Sequence, residues 1–108
     1  MKYQVRLVAD VEEYLVDLYE FIARTDSIEK AEHLHVTLLS LCKELERFPT
    51  RGHITPELRA LGIENFRELH FKSYRIIYEI IRREVFIHCI LDGRRDMESL
   101  LSERLLRG

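Results

Sequence analysis

The chain has 108 residues, 46% of them apolar and 33% charged, with a net charge of −2 at neutral pH. That suffices for one domain with a modest core and excludes two, and it lacks the basic excess expected of a protein living on ribosomal or duplex phosphate. The sign is unevenly shared: residues 1–66 hold 8 Lys/Arg against 12 Asp/Glu and residues 67–108 hold 9 against 7, so an anionic partner is sought on the C-terminal part.

Tyr3 to Val8 alternates polar and apolar residues, which predicts a first strand rather than a signal peptide. No apolar run approaches the roughly 18 residues needed to cross a bilayer, so the expected location is the cytoplasm, with no membrane partner. Asp10 and Glu13 match a capping box. The helix they open carries Val11, Tyr14, Leu15, Leu18, Phe21 and Ile22 on one face and reaches Arg24. Asp26-Ser27-Ile28-Glu29 is a second start signal. Ile28, Ala31, Leu34, Leu38, Leu41, Cys42, Leu45 and Phe48 continue at helical spacing until Pro49 stops the helix near Arg47. So short a turn predicts an antiparallel helical hairpin, whose solvated faces account for the N-terminal acidity. Cys42 and Cys89 lie far apart in apolar patterns, which reads as reduced core thiols, and no His/Cys spacing suggests a metal.

Pro49 to Gly62 is irregular. Thr55-Pro56-Glu57-Leu58 resembles a single helical turn with Pro56 at its first position; Arg47, Arg51, His53 and Arg59 punctuate a stretch read as a solvated connector. Three strands follow, Asn65–Phe71, Tyr74–Ile81 and Val85–Leu91, with gaps short enough only for hairpins. The middle strand is apolar nearly throughout, as a central strand would be, with Tyr74 and Tyr78 assigned to the core. Its exceptions, Arg75 and Glu79, share a face and are placed to pair across strands with Glu68 and His88. Asp92-Gly93 closes the last strand, and Asp96 caps a final helix with Met97, Leu100, Leu101, Leu105 and Leu106 as its stripe. The sum is one α+β domain over residues 1–108, β-α-α-β-β-β-α. A helical hairpin packs on one face of a mainly antiparallel four-stranded sheet, with a short C-terminal helix. The other face is left partly open, and Phe86 and Ile90 stand in water there unless a partner covers them.

That order of elements carries Phe48-Pro49, Arg67-Glu68-Leu69, Tyr74-Arg75-Ile76-Ile77-Tyr78 and Asp92-Gly93-Arg94-Arg95-Asp96, and it resembles the RelE/ParE toxin superfamily over essentially the whole chain. The resemblance implies the toxin of a type II toxin–antitoxin pair of the plasmid-stabilisation kind. Such a toxin is neutralised by a cognate antitoxin in a hetero-oligomer and has no cofactor. It also implies one of two activities: cleavage of mRNA in the ribosomal A site, as in RelE-like members, or poisoning of DNA gyrase, as in ParE-like members. The tail from Gly93 to Arg107 is more similar to the ParE branch.

Cutting RNA through its own 2′-hydroxyl needs a base, an acid, and cations for the dianionic phosphorane. Arg67 and Arg75 would supply the cations if both project from the open face, which depends on strand registry. His70 and His88 are the acid–base candidates, yet strand histidines are more often structural. RelE-like nucleases carry Tyr or His just after the last strand. Here Asp92-Gly93-Arg94-Arg95 stands there, and an arginine with a pKa above about 12 transfers protons poorly. The balance favours a ParE-like gyrase poison, with an mRNA endonuclease and an inactive binding module as alternatives. Arg67, Arg75, Phe86, Arg94 and Arg95 are the candidate target or antitoxin contacts. The last two sit beside Asp92 and Asp96, so surface ion pairs are the alternative for them.

Overall fold

Residues 2–93 are described by the computed structural model; Arg94, Arg95 and the helix expected from Asp96 lie outside the described residues. Strand β1 (Gln4–Leu7) passes into α1 (Ala9–Thr25) through the single residue Val8. The Val8 N–H ends the strand on the Ile87 carbonyl at 3.2 Å, while its own carbonyl accepts from the Val11 and Glu12 N–H groups. The expected capping box is therefore not used: the helix begins before Asp10, and no side chain caps it. Asp10 and Glu12 instead place negative charge in the first turn, where the helix dipole favours it. The second start signal holds, since Ser27 accepts the Lys30 N–H at 3.1 Å and opens α2 (Ile28–Glu44). Tighter turns carry the chain on to Phe48 before Pro49.

The hairpin buries Val11, Leu15, Leu34, Leu38, Cys42 and Leu45 against the sheet. Three residues assigned to the apolar stripes stand in solvent instead: Phe21, Ile28 and Phe48 are 54–64% exposed. Among the described residues, no helix is long and apolar enough to cross a membrane.

Among the described residues the sheet has five strands rather than four, in the order β1-β5-β4-β3-β2, with β1 parallel to β5 and the other neighbours antiparallel. The addition is β2 (His53–Ile54), a two-residue edge strand on β3 (Phe66–Phe71). The solvated-connector reading of residues 49–62 is thus overturned, because this segment also supplies α3 (Pro56–Arg59), whose Leu58 is fully buried. Two-residue turns, Lys72-Ser73 and Arg82-Arg83, join β3 to β4 (Tyr74–Ile81) and β4 to β5 (Glu84–Asp92). Lys72 and Arg82 adopt φ of +54° and +57°, the left-handed entry that matches a hairpin turn to strand twist.

Register sorts the side chains into two layers. Toward the helices point Leu69, Phe71, Tyr74, Ile76, Tyr78, Val85, Ile87 and Ile90. Under α3 lies a second, smaller core of Leu58, Phe66, Ile77, Cys89 and Leu91. Where the register shifts between Ile77 and Tyr78, β5 carries one extra residue, His88. This bulge reverses the alternation. It turns Ile90 into the helix-side core, so the expectation that Ile90 stands exposed fails, while Phe86 remains only partly covered. Both cysteines are buried, and burial pushes the Cys42 thiol up to about 12.

Candidate functional site

The two strand arginines do not share a face. Arg67 lies opposite Tyr78 in the β3–β4 register and points to the helix layer. There its guanidinium donates to the Gly52 carbonyl at 2.7 Å and to the Thr50 carbonyl at 3.4 Å. Tyr78, fully buried, accepts the Gly52 N–H at 2.9 Å and donates to the Pro49 carbonyl at 2.7 Å. Gly52 is required by this contact: a Cβ there would stand 2.6 Å from the Glu68 carbonyl oxygen and 2.7 Å from the Tyr78 hydroxyl. Pro49, Gly52, Arg67 and Tyr78 therefore form a latch that lays the β2 segment on the sheet edge. The pairing of Arg67 with Arg75 as joint cations on the open face is overturned by this register.

Arg75 does occupy the opposite face, but between two carboxylates. Its Nε and Nη2 donate to Glu68 at 3.0 and 2.5 Å, and its Nη1 and Nη2 to Glu57 of α3 at 2.8 and 2.7 Å. Both neighbours are bound in the forked geometry arginine favours. The bond to Arg75 holds the Glu57 carboxyl below the ordinary range, and Glu57 in turn raises the Arg75 pKa. The Glu68 side chain has no exposure and that of Arg75 has 12%, so this is a buried pair whose cost is offset only by close geometry. His70 hydrogen-bonds to Glu68 Oε2, and His53 approaches the same oxygen at 3.6 Å. The two rings meet edge to face at 5.1 Å.

Across the small core sits a second cluster. Glu79 accepts from the Asn65 amide at 2.7 Å and meets His88 Nε2 at 3.0 Å. Phe66 and Phe86 flank the His88 ring. The expected cross-strand pairs, Arg75 with Glu68 and Glu79 with His88, are both present. On the helix side, Ile22, Leu34, Phe71 and Tyr74 line a groove of 520 Å³ with Asp26, Lys30 and Lys72 on its rim.

Chemically, Glu68 and His70 make an imidazole–carboxylate pair of the kind that can move a proton. Arg75, the cation beside it, is not uncommitted, since it already gives four hydrogen bonds to carboxylates. Glu57, and Glu68 as the centre of the cluster, were not singled out as site residues in the sequence. The signal for Glu57 is an acidic residue in a lone helical turn, which gains meaning only once α3 lies over β4.

A sequence model of the family described as "ParE toxin of type II toxin-antitoxin system, parDE" matches residues 5–97. Among solved structures, the chain is similar to one described as "Chromosomal ParDE TA system from P. aeruginosa". The TM-score is 0.68 at 15% identity, over 82% of this chain and 94% of that one. No curated protein matches.

Proposed function

The chain belongs to the ParE toxin family of type II toxin–antitoxin systems, and we propose that it acts in the cytoplasm as a poison of DNA gyrase. On this reading a cognate antitoxin holds it inactive in a hetero-oligomer. The observation that carries the non-nucleolytic choice is the saturation of Arg75 by Glu57 and Glu68, with Arg67 committed to backbone carbonyls on the other face. A phosphorane needs uncommitted cations within reach, and neither arginine is one. The net charge of −2 agrees, because docking on ribosomal RNA asks for a basic excess. The antitoxin is assigned to the groove beside the helical hairpin or to the sheet face bearing Phe86. Arg94 and Arg95 are proposed as further contacts.

The Glu68–His70 pair is what an mRNA endonuclease would draw on, so the test must separate the two activities. Expression in a bacterial host is expected to give filamentous cells and an induced DNA-damage response with intact mRNA. Rapid loss of mRNA, with cuts inside codons, would overturn the gyrase reading. Unaffected growth at high expression would leave a binding module.

A further inference from the structure

We propose that His53, Glu68 and His70 form a binding site for one divalent transition-metal ion. The three residues come from two neighbouring strands, β2 and β3, with His53 directly opposite Glu68 in the register and His70 two residues on, hence on the same face. One potential ligand atom from each lies within 4.8 Å of the others. Both imidazole Nε2 atoms converge on a single oxygen, Glu68 Oε2. No sequence spacing announces this set, because positions 53, 68 and 70 are joined only by the β2–β3 pairing.

The chemistry of the donors selects the ion. Two imidazole nitrogens and one carboxylate oxygen are the set that zinc and its first-row neighbours accept, whereas magnesium and calcium ask for oxygen alone. The carboxylate is already oriented. Arg75 grips Glu68 through both oxygens and is itself held by Glu57. This is the outer-shell support that metal-binding carboxylates need. With both histidines neutral, Glu57, Glu68 and Arg75 sum to one negative charge, which favours a cation. The floor of the site is closed and its mouth is open: Glu68 has no exposure, while the His53 and His70 side chains are 60% and 50% exposed. An ion can therefore enter from solvent without unfolding anything, and it would cross-link the edge strand β2 to the sheet. The site stands independently of the toxin reading.

The test uses the full chain, without a histidine tag and stripped of metal with a chelator, titrated with Zn²⁺ by calorimetry. Saturable binding of one Zn²⁺ per chain is expected, together with a rise in Tm on loading. His53→Ala and His70→Ala should each weaken binding at least about tenfold, the lower bound for loss of even an outer-shell partner, and the double variant should abolish it. His33→Ala, an exposed α2 residue, should change nothing. Because both site histidines are largely exposed, the variants should keep the metal-free urea midpoint. Glu68 is left intact, since its loss would strand Arg75. As a second measurement, one equivalent of Zn²⁺ should shift the NMR ring signals of His53 and His70 and spare those of His88. The proposal is overturned by absence of saturable binding, by binding that survives the double substitution, or by ring shifts at other histidines only.

Discussion

Replacing Arg75 by alanine removes the arginine that grips the fully buried Glu68 carboxylate through both oxygens. The pair is buried, with side-chain exposures of 12% and 0%, and breaking such a pair from one side costs about 3–5 kcal/mol because the remaining charge is uncompensated. Glu57, at 30% exposure, can rehydrate and should add less than about 1 kcal/mol. Against a total stability of about 5–15 kcal/mol for a domain of this size, the loss is large. At roughly 4 °C per kcal/mol it lowers Tm by about 12–20 °C. Urea denaturation near pH 7.5 should show a fallen midpoint with an unchanged slope. The compensating double variant, Arg75→Met with Glu68→Leu, replaces the pair by apolar groups and is expected to return to within about 1 kcal/mol of the parent. A single variant that stays within about 0.5 kcal/mol of the parent would refute the buried-pair reasoning.

Gly52→Ala should destabilise by about 1–3 kcal/mol, because the new Cβ meets the Glu68 carbonyl and the Tyr78 hydroxyl below 3 Å; an unchanged thermal midpoint would contradict the latch. Since Arg75 holds the folded Glu57 carboxyl below its unfolded range, the stability it contributes is present above about pH 4.3 and is lost as pH falls through the folded value. Glu57→Gln should therefore flatten the acid limb of a stability–pH curve, and superimposable limbs would count against the ion pair. Thr55 is fully buried, and its hydroxyl has no hydrogen-bond partner among the described residues. Thr55→Val is thus expected to raise stability by about 1 kcal/mol, and a loss would mean that the hydroxyl is satisfied.

Much of the fold was legible in local pattern. Helical spacing from Val11 to Ile22 and from Ala31 to Leu45 marks the hairpin, Ser27 marks its second start, and the short gaps at Lys72-Ser73 and Arg82-Arg83-Glu84 mark the meander. The separation of Arg67 from Arg75 follows from the same turn. A two-residue loop pairs Phe71 with Tyr74, and alternation then sets Arg67 beside Tyr78 and Arg75 beside His70 on opposite faces. The bulge at His88 is different in kind. It inserts one residue into β5 without any glycine or proline to announce it, so Ile90 reads as outward until the neighbouring strand is known. The candidate site was the least legible part. His53 reaches Glu68 only because Gly52 tucks against Tyr78, a contact between segments far apart in sequence. A two-residue strand such as β2 is too short to show a period. Pro49, Arg67 and Tyr78, which belong to motifs that carry the family resemblance, turn out to be parts of the latch, so their contribution to the fold is structural.

The most direct test of the gyrase reading is a supercoiling assay with purified gyrase and the purified chain. Inhibition of supercoiling with trapped, cleaved DNA is expected, relieved by adding a cognate antitoxin, while mRNA on translating ribosomes stays whole. Supercoiling unaffected by excess protein, with mRNA cut in the ribosomal A site, would contradict the reading and give Glu68 and His70 the role of a nuclease pair.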